Sequence, residues 1–464
     1  MAGFDLCVIG SGPGGQKAAI QAAKLGKNVC IVERMEQVGG VAIHTGTIPS
    51  KALRQAIIEA TGGKDHLRVR ASVKAGNLSM GELLESCQRI IATEMEIVSV
   101  QLRRNGITLI QGQASFKDKN TVVVKGVQET SEVTASSFIV AVGTEPVRPQ
   151  AIPFDEDCVL TSDDLLHLTR LPESLIVVGG GVIGTEFASM FSRLGVRVTM
   201  VEKSQRILGF LDCQIGEALQ YHLRNRGMTL RFGEELQEVK KLTEGKNPVV
   251  EVCLKSGKCL KADAFLYCIG RQGCTKQLEL GNAGLEADNR GRMKVDSHYR
   301  TDNPNIYAVG DVIGFPALAS TSMNQGRMAS CHLFNQPQHK LRKFFPFGIF
   351  SIPEISMVGN TEEELTEKNI PYEIGCAGYK EIARGQIIGD DVGLLKILFH
   401  PETREVLGVH IIGTGATELI HIGQAVMALD GKLDYFMDSA FNYPTLAECY
   451  RVAALNGANK LRRT

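Results

Sequence analysis

The strongest constraint on this chain is a glycine-containing unit that occurs twice. An apolar run at 4–9 (Phe-Asp-Leu-Cys-Val-Ile) leads into Gly10-Ser11-Gly12-Pro13-Gly14-Gly15, an alanine-rich helical stretch, and a second apolar run, Asn28-Val29-Cys30-Ile31-Val32, that ends at Glu33. The run at 174–178 (Ser-Leu-Ile-Val-Val) leads in the same way into Gly179-Gly180-Gly181-Val182-Ile183-Gly184, a helical stretch, and Arg197-Val198-Thr199-Met200-Val201 ending at Glu202. In both copies the acid stands 23 positions after the first glycine. Short apolar runs without polar alternation read as strands buried on both faces of a parallel sheet. Two strand–helix–strand units in one register therefore predict an α/β chain with two Rossmann-like halves.

Each glycine in such a loop has its own task. The first allows the tight turn after the strand, the second lets backbone approach a pyrophosphate, and the third lets helix and strand pack closely. The helix N-terminus offers unpaired N–H groups and partial positive charge to phosphates, and the acid accepts from ribose hydroxyls. Two such loops in one chain point to two dinucleotides, a flavin and a nicotinamide working together.

The rest of the chain is read around these units. Residues 80–105 carry apolar positions at helical spacing and predict a long helix. Residues 107–143 read as short strands closing on Phe138-Ile139-Val140-Ala141-Val142-Gly143-Thr144, and Ala264 to Arg271 closes the second unit similarly. After Pro346, strands at 394–400 and 406–412 alternate with helices at 361–368, 417–429 and 445–455, an α+β pattern.

The 464 residues suffice for two or three domains. Lysine plus arginine equal aspartate plus glutamate at 51 each, so no basic footprint for nucleic acid or an anionic membrane surface is expected. No apolar run reaches the roughly 18 residues of a membrane span. The N-terminus enters a strand directly, without a basic region or cleavage site, so a cytoplasmic protein is expected. The twelve cysteines include no Cys-x-x-Cys pair. The closest pairs, Cys253/Cys259 and Cys268/Cys274, are poorly spaced for metal ligation, so no metal site is expected and the thiols read as small buried hydrophobes.

The segment Gly39-Gly40-Val41-Ala42-Ile43-His44-Thr45-Gly46-Thr47-Ile48-Pro49-Ser50-Lys51 resembles the redox-active segment of the lipoamide dehydrogenase and glutathione reductase family, the class I pyridine nucleotide-disulfide oxidoreductases. Ala141-Val142-Gly143-Thr144, Ile306 to Asp311, and Tyr443-Pro444-Thr445 with Glu448 match it further, in order along nearly the whole chain. The resemblance implies a discontinuous FAD-binding domain over 1–150 and 271–345, an NAD(P)-binding domain inserted at 151–270, and a C-terminal interface domain at 346–464 that makes a homodimer. FAD would be met by Gly10, Gly12, Gly14, Gly15, Glu33, Arg34, Gly40, Thr47, Lys51, Gly143, Thr144, Asp311 and Ala319. NAD(P) would be met by Gly179, Gly181, Val182, Gly184, Glu202, Lys203, Arg206 and Gly270. Lys51, near the flavin, and its partner Glu186 would be the catalytic pair, with Val182 as a gate beside the nicotinamide.

The departures from the family carry more information than the matches. Its redox cysteines fall at the positions of Ala42 and Thr47, and its histidine base at the position of Tyr443, although Glu448 remains. A phenol with a pKa near 10 cannot replace an imidazole near 6.5 as a base at neutral pH. Disulfide reduction is therefore not expected. Gly-Thr-Ile-Pro-Ser-Lys at 46–51 and Phe-Asn-Tyr-Pro-Thr at 441–445 are similar to the soluble pyridine nucleotide transhydrogenase branch, which keeps a cysteine at the position of Ala42. That resemblance implies FAD-dependent hydride transfer between NADPH and NAD, ping-pong through the reduced flavin. An NAD(P)H-dependent quinone or dye reductase is the alternative, and a non-catalytic flavoprotein subunit a third. Glu202 bears on the choice: a carboxylate there favours NAD and repels a 2′-phosphate, whereas Lys203 and Arg206 suit one. His44, His410 and His421 read as structural, and Tyr443 as a cap on the former disulfide side at the dimer interface.

Overall fold

The computed structural model describes residues 3–62, 69, 78–244, 247–337 and 344–461. The first glycine unit sits in a sheet whose parallel part runs Thr108–Gln111, Val29–Glu33, Phe4–Ile9, Thr130–Val140, with Ile306–Ala308 joining parallel to Thr130–Val140. Thr121–Lys125 and Gln113–Asp118 extend it antiparallel. The apolar stretches Leu6–Ile9 and Val29–Val32 of strands Phe4–Ile9 and Val29–Glu33 are buried, as parallel strands covered on both faces require.

The second unit builds a five-stranded parallel sheet in the order Thr229–Phe232, Arg197–Glu202, Ser174–Val178, Ala264–Tyr267, Val159–Thr161. The two units close with the same backbone bonds: Gly10 N donates to Val32 O (2.8 Å) and Gly179 N to Val201 O (2.9 Å). Ala141 N likewise donates to Ile9 O, and Cys268 N to Val178 O, both at 2.8 Å. Between the two sheets the chain leaves along Thr144–Pro146 and returns along Arg271–Gly273, which pair antiparallel. The second sheet is thus inserted within the first unit, and the expected α/β class with one half inside the other holds.

Residues 347–412 form an antiparallel sheet in the order Phe347–Ile349, Ile355–Gly359, Val406–Ile412, Leu394–Phe399, Glu373–Gly378, covered by helices Ala416–Ala428 and Glu448–Leu461. The last helix, Glu448–Leu461, begins three residues later than the sequence suggests, because residues 445–447 form a tighter turn closed by i→i−3 bonds such as Glu448 N to Thr445 O at 3.4 Å. The long helix spans Met80–Arg104, started by a capping box between Ser79 and Glu82. One apolar core joins this helix (Leu83, Leu84), the Thr47–Thr61 helix (Leu53, Ile57), the second sheet (Val177, Met200) and the C-terminal sheet (Ile355, Ile412). That shared core fixes the three units against one another where the charged groups of the site meet. A buried ion pair adds to it: Lys396 Nζ donates to Asp212 at 2.8 and 2.9 Å, and contacts Glu362, with both Lys396 and Asp212 fully buried.

The thiol expectation needs one correction. Six cysteines (Cys7, Cys30, Cys87, Cys158, Cys331, Cys449) are buried free thiols, as expected, but Cys213 is exposed. Cys253 and Cys259 are not free: they form a disulfide. They face each other across adjacent antiparallel strands, Asn247–Leu254 and Cys259–Ala262, with Cα atoms 4.1 Å apart. Their six-residue spacing is that of a hairpin, a relation that metal-ligand and Cys-x-x-Cys patterns do not test.

Candidate functional site

A long cleft opens at the C-terminal edge of the first parallel sheet, the end at which open α/β sheets receive ligands. It is walled by Gly10, Gly12 and Gly14, by Glu33 and Arg34, by Gly40 and Thr47, and by Gly143, Thr144, Asp311 and Ala319. Eleven of the thirteen residues expected to meet FAD therefore converge on one surface; Gly15 and Lys51 do not line it. Gly15 lies beneath it, where a Cβ would come within 2.0 Å of Gly10 O, so only glycine lets the helix start so close to the strand.

The cleft fits a dinucleotide. Helices Pro13–Lys24 and Ala319–Leu333 both begin at it without a side-chain cap, on Gly12 and Leu318, so their first N–H groups are available to an anion. Glu33 is held by the loop: Oε2 accepts from Ser11 N (2.8 Å) and Ser11 Oγ (2.5 Å), and Oε1 from Met35 N (2.9 Å). Carboxylate oxygens have about four lone-pair sites between them, so acceptor capacity remains. Asp311 has its carboxyl raised by burial, opposed by the Arg271 guanidinium and a hydrogen bond from Thr144. Arg271 in turn donates to Thr144 Oγ1 (2.9 Å) and Thr144 O (2.7 Å) and lies 3.7 Å from Asp163. Arg271, Asp163 and Ser11 were not among the candidates; only the position of Arg271 directly after Gly270 hinted at it.

The second unit repeats the arrangement. Helix Val182–Arg193 starts uncapped on Gly181, and a Cβ on Gly184 would lie 2.0 Å from Gly179 O, as at Gly15. A smaller pocket there is lined by Gly181, Val182, Gly270, Arg271, Tyr267 and Cys268, among others. Glu202 mirrors Glu33: Oε2 accepts from Gly180 N at 2.5 Å and Oε1 from Ser204 N at 2.7 Å. It faces the glycine loop. Lys203 Nζ lies 3.2 Å from Glu235, while Arg206 donates to Gly209 O (2.8 Å) and lies 3.6 Å from Glu363. None of Glu202, Lys203 and Arg206 lines the smaller pocket.

Lys51 and Glu186 meet, although 135 residues apart. Nζ donates to Glu186 Oε2 at 2.9 Å and to Oε1 at 3.2 Å. Lys51 follows Pro49-Ser50 in helix Thr47–Thr61, and Glu186 sits in the first turns of helix Val182–Arg193. A third element joins them: Phe350 N donates to Glu186 Oε1 at 2.8 Å, and the Lys51 ammonium lies 4.9 Å from the Phe350 ring centroid. The acid is buried and the lysine is 27% exposed, so a positive charge is anchored to the helix that follows the second glycine loop yet reaches solvent. Sequence reading missed Phe350, because a contact spanning 164 residues through a backbone N–H leaves no local pattern.

Ala42 and Thr47 stand on the first cleft's wall. The thiols near the clefts are Cys274 and Cys268. Burial raises both, Cys268 to about 12, so both are protonated thiols at neutral pH. His44, which lines the first cleft, bonds Val38 O through Nε2 (3.0 Å); His410 Nε2 bonds Asn360 O (2.9 Å), and His421 Nδ1 bonds Gln424 (2.9 Å). Tyr443 is 72% exposed, and the buried Glu448 Oε2 has no hydrogen-bond partner. Among the described residues no helix is long and apolar enough to cross a membrane.

Residues 4–326 match the family model described as pyridine nucleotide-disulphide oxidoreductase, and residues 345–454 match its dimerisation domain. A soluble pyridine nucleotide transhydrogenase of Mycobacterium bovis (strain BCG / Pasteur 1173P2) is 50% identical over 462 residues, 99% of this chain and 98% of that protein. One from Hahella chejuensis is 45% identical, covering 99% of each. Among solved structures, the Cu(II) complex of the HOCl-induced flavoprotein disulfide reductase RclA from Escherichia coli superposes with a TM-score of 0.88 at 27% identity, over 98% of this chain and 99% of that one.

Proposed function

The chain belongs to the pyridine nucleotide-disulphide oxidoreductase family, an FAD- and pyridine-nucleotide-dependent oxidoreductase, and from that premise we propose that it is a soluble NAD(P) transhydrogenase without a redox-active disulfide. The observation that carries this reading is the wall of the first cleft. Ala42 and Thr47 stand where the family's thiol pair would be, while both nucleotide loops and the Lys51–Glu186 pair are intact. Full-length relatives at 45–50% identity that bear the transhydrogenase name support it.

In this reading the FAD-binding domain comprises 1–150 and 271–345, the NAD(P)-binding domain 151–270, and the interface domain 346–464. Bound FAD supplies reversible two-electron hydride exchange with a nicotinamide ring. The protein's part is to hold and bias it. Backbone N–H groups of Gly12, Gly14, Gly15 and Ala319 would receive phosphate and ring oxygens, with Glu33 and Asp311 accepting from hydroxyls. The Lys51 ammonium, anchored by Glu186 and Phe350, would offer positive charge to a bound flavin on its reduction. Gly179, Gly181 and Gly184 bring backbone to the nicotinamide nucleotide, Val182 and Gly270 shape its entrance, and Glu202 meets its adenosine ribose. NADPH and NAD use that one site in turn, which makes the kinetics ping-pong. The protein is a cytoplasmic homodimer: exposed apolar side chains in the C-terminal unit, Leu429, Tyr435, Tyr443 and Leu455, suit an interface. Tyr443 then caps the former disulfide side.

One observation favours a second reading. Glu202 faces the glycine loop, which suits NADH better than NADPH. An NADH-dependent reductase of quinone-like oxidants on the same scaffold follows from that. Incubation of the FAD-loaded protein with NADPH and thio-NAD separates the two. Formation of thio-NADH, with no turnover of lipoamide or glutathione disulfide, is expected. Absence of transfer beside fast quinone reduction by NADH would overturn the first reading, and turnover of either disulfide would contradict the absence of disulfide chemistry.

A further inference from the structure

A site that takes both NAD and NADP faces an electrostatic conflict. Glu202 would repel the 2′-phosphate that distinguishes the two nucleotides, while a cation is needed to hold it. The cation next in sequence, Lys203, has a partner already: its Nζ lies 3.2 Å from Glu235 Oε1. The other oxygen of Glu235 accepts from Lys255 Nζ at 2.7 Å, so one carboxylate bridges two ammonium groups. The contact is built into the backbone. Glu234 N donates to Glu202 O and Gly233 N to Ser204 O, both at 3.2 Å, which lays the turn at 233–235 directly against 202–204. Lys255 is fixed from the other side, its N–H donating to Glu235 O at 2.9 Å.

We propose that Glu235 is a specificity-determining residue, an internal stand-in for the 2′-phosphate that holds Lys203 until NADP(H) takes its place. The inference rests on the reading that Glu202 meets the adenosine ribose. Three features make the exchange workable. The pair is exposed, with Lys203 at 75% and Glu235 at 36%, and exposed ion pairs are weak, so Lys203 is released at little cost. A phosphate dianion offers a stronger, charge-assisted partner than a carboxylate. Glu235 keeps Lys255 when Lys203 departs, so no anion is left without a cation. With NAD bound, Lys203 stays on Glu235 and Glu202 alone reads the ribose.

The test measures KM for NADPH and NADH with a dye acceptor on the FAD-loaded protein. Glu235→Gln frees Lys203 and lowers KM for NADPH by about 2- to 5-fold, the worth of an exposed pair, with NADH unchanged. Lys255→Gln tightens Glu235 on Lys203 and raises KM for NADPH. The effect of Glu235→Gln disappears in a Lys203→Gln background. A KM for NADPH that does not fall in Glu235→Gln, equal changes for both nucleotides, or a Glu235→Gln effect that survives without Lys203 overturns the proposal. Glu202→Ala locates the failure. If it raises KM for NADH while Glu235→Gln does nothing, only the role of Glu235 fails; if Glu202→Ala changes neither nucleotide, the ribose reading fails and this proposal with it.

Discussion

Replacing Glu186 by glutamine tests the link between the three units. The wild-type carboxylate accepts three bonds, from Phe350 N at 2.8 Å and from Lys51 Nζ at 2.9 and 3.2 Å. Removing one partner of a fully buried pair costs about 3–5 kcal/mol. Here Lys51 is 27% exposed and can turn its ammonium to water, so the full figure does not apply. The glutamine oxygen can still accept from Phe350 N, leaving the lost charge and one amide N–H set against the ammonium. Those terms amount to about 1–2 kcal/mol, with Glu186→Ala at about 2–4 kcal/mol because the Phe350 N–H also loses its partner. Freed from its anchor, Lys51 no longer holds its charge in place. Turnover with NADH and a dye should fall by about 10- to 100-fold, less than the loss on deleting an electrostatic donor outright. Thermal or urea unfolding of the FAD-loaded protein and steady-state kinetics measure both, and a double-mutant cycle with Lys51→Gln isolates the pair. Additive effects of the two substitutions, or wild-type turnover in Glu186→Gln, would refute the coupling.

Two further outcomes follow from the geometry. Gly184→Ala puts a Cβ 2.0 Å from Gly179 O, so KM for NADH should rise at least 10-fold or so and stability fall by about 1–3 kcal/mol, while FAD content measured by absorbance stays at the wild-type level. His222 is lowered to about 4, first by burial and then by the Arg226 guanidinium. Its unfolded value is about 6.5. Between those values the unfolded chain binds the extra proton, so stability is unaffected above about pH 6.5 and lost as pH falls towards 4. After allowance for partial solvent access the loss is about 1–2 kcal/mol; a His222→Gln variant should show a flatter unfolding midpoint over that window, and an unchanged slope would contradict the assignment.

Much of the fold was legible because its signals are local. A glycine turn, a helix start and an acid 23 positions on are short-range requirements of one strand–helix–strand unit, and their recurrence fixed both sheets. The resemblance at 39–51 and 443–448 carried the meeting of Lys51 with Glu186, which no local pattern could supply. The hairpin disulfide was missed because strand register, not spacing, brings Cys253 to Cys259. Phe350, Arg271 and Glu235 were missed for a related reason. Each acts through a contact made by a distant strand or turn, where the residue type alone, an aromatic, a cation or an acid in a loop, is ordinary.

The sequence by itself determined the two nucleotide loops and the absence of cysteine at Ala42 and Thr47, because glycine turns and thiol chemistry are properties of residue identity. Only the tertiary structure decided which charges face which. Glu202 turns to the Gly180 amide, Lys203 to Glu235, and Lys51 to an acid on another sheet's helix. Electrostatic partnership depends on distances of a few ångströms between segments far apart in the chain, and the packing of the shared core sets those distances.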